Sequence, residues 1–305
     1  MSYGTIVVCG GGCYGGYYVR QLARARASGA LAVDRIVVVD RDPHCRVALL
    51  ADAIARGDAP GTIQHGWRMQ RADDSAAGTP SIEPGYADLP IAFVRSDWES
   101  FFRQLFADAI DAPESASVDA VVPSPLMPNL LADWIMSRVA LHRPRARTTR
   151  SQVGAAPDTP WKRESTDGES LYVSFATWMC PINCIEPPRC PETRGPRDWT
   201  MPAAVLAAVK KSADDGRSYD VVSIFRTTHR LFGVGMFDVS DAIEADRSIR
   251  AVAAKPELTM LVASVSHCHG ALAEIRSVDG PPAAGERESY SAAGSRVRLR
   301  QLQLP

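Results

Sequence analysis

TIVVCGGGCYGGYYVRQLARA, residues 5 to 25, changes character twice within twenty-one positions. Thr5 to Cys9 is a short β-branched run that predicts a strand, and Tyr17 to Ala25 has the composition of a helix. Between them Gly10, Gly12 and Gly15 fit G-x-G-x-x-G, with Gly11, Cys13 and Tyr14 at the variable positions. The first glycine suits a tight turn, and the second lets a phosphate approach the backbone. Gly15 allows close packing of helix on strand. A helix start placed there offers unpaired amides and the positive end of its dipole to negative charge.

The residues that follow extend the same alternation. Arg35 to Asp40 (RIVVVD) predicts a second strand, and Cys45 to Asp52 a second helix. Pro90 to Val94 and Val118 to Val122 predict two further strands, with helices over Trp98 to Ile110 and Asn129 to Leu141. Strand and helix in alternation point to a parallel α/β unit. Asp40 ends the second strand, where a carboxylate accepts from ribose hydroxyls. It lies 25 residues after Gly15 because the connection through Ser28-Gly29-Ala30 is long. The acid favours NAD, whereas Arg41 beside it suits the 2′-phosphate of NADP.

GGGCYG, IVVVD and VDAVVP carry a resemblance over Thr5 to about Leu141. The region resembles the nucleotide-binding half of NAD(P)-dependent Rossmann proteins, among them dehydrogenases and the regulatory domains of ion-transport systems. The resemblance implies a glycine loop holding dinucleotide phosphates and a nicotinamide bordered by residues from Pro123 to Pro125. S-adenosylmethionine, bound by a methyltransferase, is the alternative ligand of such a loop.

The second half divides differently. Residues 143–170 read as a polar linker, 171–278 as a second α+β or α/β domain, and 279–305 as a mobile tail, leaving 1–142 as the Rossmann-like domain with a parallel sheet. The second domain carries a cysteine-rich loop, Cys180-x3-Cys184-x5-Cys190, and a later Ser266-His267-Cys268-His269-Gly270. The three loop thiols with Cys268 make a four-thiolate set; with His267 or His269 they make a mixed one. Soft sulfur donors favour an iron–sulfur cluster or zinc, with a redox dithiol or inert buried thiols as the plainer alternatives. Glu186 beside the thiols, His229 after a predicted strand and His269 are the candidate proton-transfer residues.

Composition narrows the classes. With 34 basic and 35 acidic residues the net charge is -1, so no nucleic-acid or membrane partner is expected. The absence of a leader-like start or an 18-residue apolar run makes a cytoplasmic location the expectation. The combined reading is an NAD(P)-dependent oxidoreductase with a cysteine-ligated iron–sulfur cluster or zinc. Its partner is a small-molecule substrate or a redox partner protein, and the oligomeric state is left open. A non-catalytic nucleotide or redox sensor, or an assembly factor, is the alternative.

Overall fold

The computed structural model describes residues 1–56, 86, 89–124, 129–176 and 184–280. Its first sheet begins with β1 (Ser2–Cys9), β2 (Ala32–Asp40), β3 (Ile91–Arg95) and β4 (Ala120–Val122), paired in parallel in the order β3-β2-β1-β4. Side chains of β1 alternate between two cores: Ile6 and Val8 on one face, Val7 and Cys9 on the other. A strand covered on both faces reads as an unbroken apolar run, which is what TIVVC is.

Two helices cover the first of those faces. Val19 and Leu22 of α1 (Cys13–Ala27) and Val47 and Leu50 of α2 (Arg46–Ala55) pack on Ile6, Val8, Ile36 and Val38. The opposite face carries α3 (Trp98–Asp111), the single turn α4 (Pro113–Ala116), and α5 (Leu130–His142). Asp97 caps α3 by accepting from the Ser100 amide at 2.8 Å. Phe101, Phe102, Leu105, Phe106 and Ala109 then form its buried stripe.

The second sheet is built from β5 (Ala146–Ser151), β6 (Trp161–Glu164), β7 (Leu171–Ser174), β8 (Val221–Arg226), β11 (Glu257–Val265) and β12 (His269–Asp279). Its order is β6-β7-β12-β11-β8, with β5 also paired to β12, and only β8 with β11 is parallel. On one face lies α6 (Met201–Asp214), through Met201 and Val205. The other face contributes Met260, Val262 and Ile275 to the core that the first sheet, α3, α5 and α7 (Val239–Val252) also fill.

The fold is therefore mixed α/β with two sheets, and the sheets do not divide the chain as the sequence suggests. β9 (Thr228–His229) and β10 (Gly235–Asp238) come from the second half yet extend the first sheet, β10 antiparallel to β4 and β9 antiparallel to β10. That sheet is neither wholly N-terminal nor wholly parallel. β8 runs almost directly into β9, with the Thr227 amide donating to Val265 O at 2.8 Å, so one stretch of chain passes from one sheet to the other. The stretch 143–170, expected as a linker, holds β5 and β6. Both are edge strands with little buried apolar surface, so their sequences lack the alternation that marks a half-buried strand. Residues 61–89 and most of the tail fall almost entirely outside the described residues, and no described helix is long and apolar enough to cross a membrane.

Candidate functional site at the carboxyl edge of the first sheet

The glycine turn follows β1 directly. Gly10 has φ +94, a conformation that a residue with Cβ rarely adopts, and its amide donates to Val39 O at 2.8 Å. A Cβ on Gly15 would collide with the Gly10 carbonyl oxygen, so the close seating of α1 on the turn requires glycine there. A Cβ on Gly11 would meet the Cys45 sulfur at the start of α2. Gly12 differs from its neighbours. It is exposed, a Cβ there meets nothing within 4 Å among the described residues, and it is the N-cap of α1 with no side-chain capping bond. Cys13 is exposed and Tyr14 half-buried just beyond it. The first amides of α1 have no partner within the helix.

Asp40 is committed to the turn itself. Its two carboxylate oxygens accept from the Gly11 amide at 2.7 Å and the Asp42 amide at 3.0 Å. The neighbouring Arg41 is exposed and lies close enough to Asp97 to help hold that carboxyl down; burial would raise it, and the Ser100 hydrogen bonds and then Arg41 outweigh burial. Trp98 is a wall of the turn that the sequence reading placed only at a helix start. Its indole nitrogen donates to Val39 O at 3.0 Å, and its ring lies 3.3 Å from where a Gly10 Cβ would stand. An aromatic residue opening the helix after β3 was the available signal.

Register places a second group of residues along the same edge. Phe237 pairs with Val121, which pairs with Val7. Two positions earlier, Gly235 is level with Pro123, just past β4, and Gly235 pairs with His229. His229 therefore lies at the carboxyl edge, three strands from Cys9, or roughly 14 Å at ~4.8 Å per strand.

Three separate segments meet at His229. Glu186 Oε2 lies 3.1 Å from His229 Nδ1, a contact whose N–H direction falls short of a hydrogen bond. Glu186 Oε1 accepts from the His267 amide at 3.0 Å, so one carboxylate links the end of the first sheet to the turn between β11 and β12. Burial raises the Glu186 carboxyl, but His229 and the His267 amide outweigh it and hold the group below its ordinary range. His269, close to both Glu186 and His229, is pushed down by burial and is neutral near neutrality. The three candidate proton-transfer residues are thus brought together. His267 presents its backbone to this group.

Of the expected thiol set, Cys190 lies close enough to Cys268 for its charge to oppose ionisation there. Cys180 lies outside the described residues. Cys184 is half-buried, whereas Cys190 and Cys268 are buried, and all three are free thiols. Arg197 contacts the Cys268 sulfur with its guanidinium and donates from Nε to Pro187 O at 2.8 Å. Burial raises the Cys268 thiol; Trp199 and Arg197 oppose this without reversing it. For Cys190 burial is outweighed by Thr193, the Glu192 amide and Arg197, which hold the thiol below its ordinary value. Among the described residues no group of three or more His, Cys, Asp or Glu is placed to hold a metal ion.

A cavity of about 390 Å³ lies at the opposite, amino edge of the first sheet, where Thr5, Asp34, Arg35, Asp108 and Asp119 line it. It is separate from the glycine turn and from His229.

Comparison with known proteins adds one likeness. The model of a family described as "AF_1314_C: Uncharacterized protein, C-terminal domain" matches residues 131–278, just under half of the chain. The matched part contains Glu186, His229 and the 266–269 turn, and leaves out the glycine turn and Asp40. No curated protein and no solved structure matches the chain.

Proposed function

We propose that this protein is an NAD(P)-dependent oxidoreductase, with a Rossmann-like arrangement of β1 to β4 that takes the dinucleotide phosphates at the glycine turn. The observation that carries this reading is the contrast between Gly12 and Gly15. Packing demands glycine at 15, but no described residue occupies the space beside 12, next to a helix start with no side-chain cap. Ligands of open α/β sheets bind outside the carboxyl ends of the strands. The amides of Gly12, Cys13 and Tyr14 would hold phosphate oxygens, and Pro123 would border the ring. Bound there, the dinucleotide supplies hydride exchange with a substrate carbon. NAD is favoured over NADP because Asp40 stands at the end of β2, although its present bonds to Gly11 and Asp42 leave it only its remaining lone pairs for a ribose hydroxyl.

Valine at position 12 provides the test. Because a Cβ there meets no described atom within 4 Å, G12V is expected to lose no more than ~1 kcal/mol of stability, the cost of a poorer N-cap, while losing affinity at least about tenfold, ~1.4 kcal/mol. Calorimetry with NAD+, NADH, NADP+ and S-adenosylmethionine reads this directly. No binding of either nicotinamide dinucleotide by the wild-type chain sinks the reading, and binding of S-adenosylmethionine alone replaces it with a methyltransferase. Metal analysis after anaerobic purification tests the iron–sulfur or zinc expectation separately, with C180S as the variant that removes a soft ligand.

A further inference from the structure

We propose that Glu186 and His229 form a proton-transfer pair acting on a hydroxyl or carbonyl oxygen of a small substrate at the carboxyl edge of the first sheet. The pair is assembled from parts with no local reason to meet. His229 ends the two-residue β9, Glu186 comes from the loop before α6, and the His267 amide that fixes the other carboxylate oxygen belongs to the turn after β11. Glu186 adopts φ +54, an uncommon conformation for a residue with a Cβ, and holds it where both oxygens are engaged.

The geometry around the ring favours chemistry over bracing. Nδ1 faces the carboxylate, which leaves Nε2 as the nitrogen for a ligand. Residue 235, opposite the ring, is glycine, and a Cβ there would stand 3.6 Å from Nε2. The side chain of His229 keeps 21% of its surface exposed, whereas that of Glu186 keeps 14%. An imidazole with a shielded carboxylate against one nitrogen and a glycine opposite the other is suited to act as a general base. Other titratable groups facing it are His269 and His267.

The step balances without further reactants. A substrate hydroxyl gives its proton to Nε2, and the O–H electron pair stays on oxygen. The imidazole gains one proton and one positive charge, which the Glu186 carboxylate faces. In reverse, the imidazolium returns that proton to an alkoxide oxygen. His229 is the catalytic residue and Glu186 the positioning residue. The oxygen-bearing substrate class rests on the dinucleotide reading, because hydride exchange at a carbon requires a proton to leave or join the oxygen it carries.

The test uses the full chain with NAD+ and a panel of short secondary alcohols and 2-hydroxy acids, following NADH formation. We expect turnover by the wild type, a loss of about 100-fold or more in H229A, partial rescue of H229A by added imidazole, and unchanged NAD+ affinity by calorimetry. E186Q is expected to shift the pH profile of turnover. Undiminished turnover by H229A, or a loss that imidazole does not rescue in a folded, NAD+-binding variant, makes the pair a strut and overturns the proposal. A wild type that binds NAD+ but oxidises none of the panel overturns the substrate class. A second measurement needs no dinucleotide: diethyl pyrocarbonate acylates open, unprotonated imidazoles, so mass spectrometry should find His229 modified in the folded chain. An unmodified His229 overturns the proposal even if dinucleotide binding holds; a modified His229 with no dinucleotide binding supports an open base while the oxidoreductase reading fails.

Discussion

Gly12 and Gly15 are three residues apart and stand under opposite constraints. A methyl group at 15 strikes the Gly10 carbonyl, which is backbone and cannot swing aside, so G15A must push α1 off the turn. G15A is expected to fall among the exceptional substitutions, ~4 kcal/mol or more, whereas G12A changes only an exposed cap and costs ~1 kcal/mol or less. Denaturant melts of the two variants check this; similar midpoints would mean that the turn relaxes around residue 15. The G-x-G-x-x-G spacing made both positions legible. The fate of Asp40 was not legible, because its bonds to Gly11 and Asp42 depend on how the turn folds back onto β2. Glu186 has a comparable history. Proximity to the cysteines drew attention to it, but its true partners, His229 and the His267 amide, lie far along the chain. Its folded-state titration lies below its ordinary range, so it contributes stability that is fully present above the unfolded value, ~4.3, and disappears as pH falls through the lower, folded value. E186Q should therefore flatten the acid side of the wild-type stability profile below about pH 4.3. Thermal melts of both chains between neutral and acid pH measure the difference, and parallel curves would remove the Glu186 carboxylate from the stability of the fold.

Among the elements, α7 shows what sequence spacing misses. Val239 to Ala245 predicts a short helix, yet the helix runs to Val252, with Ala245 and Ile249 continuing the buried stripe. The extension looks polar because it contains Asp246 and two arginines. Asp246 is in fact buried, 1% exposed, and binds Arg138 Nε and His142 Nε2 of α5, each at 2.7 Å, as well as Arg250 at 3.1 Å. Burial raises this carboxyl, and the Arg138 and His142 bonds more than reverse the effect. A charge joining two helices across the core belongs to tertiary packing, and no local pattern announces it. Removing Asp246 leaves Arg138 and His142, each mostly shielded from water, without their carboxylate, so D246A is expected to cost ~3 kcal/mol or more. A smaller loss, about 1 kcal/mol, measured in urea would show that water reaches Arg138 and His142. β5, β6 and β10 escaped notice for a related reason: short edge strands, or a strand such as GMFD with a glycine, gain their identity from the neighbour they pair with.

At the scale of the molecule, the first sheet and the second share one core, and a line of aromatic rings runs through it. Phe102 and Phe106 of α3 lie 5.0 Å apart, Phe106 meets Trp134 of α5 at 4.8 Å, Trp134 meets Phe225 of β8 at 6.3 Å, and Phe225 meets Phe237 of β10 at 5.9 Å. The boundary read near residue 142 was drawn from a loss of apolar periodicity. What crosses it is β9 and β10, which the chain returns to the first sheet from nearly a hundred residues later. Without them β4 becomes an open edge, and the faces of α3 and α5 that meet α7 and the second sheet lose their cover. Residues 1–142 alone are therefore expected not to fold, and the complete chain to lose both sheets together. Phe225 is the sharpest probe of that coupling, because it is 1% exposed and touches rings from both sides of the boundary. F225A should cost ~3–5 kcal/mol, with the Trp fluorescence and far-ultraviolet circular dichroism transitions still superimposed. Two separated transitions in the wild type, or a cooperatively melting 1–142 fragment, would mean that the halves are independent and that the shared core only docks them.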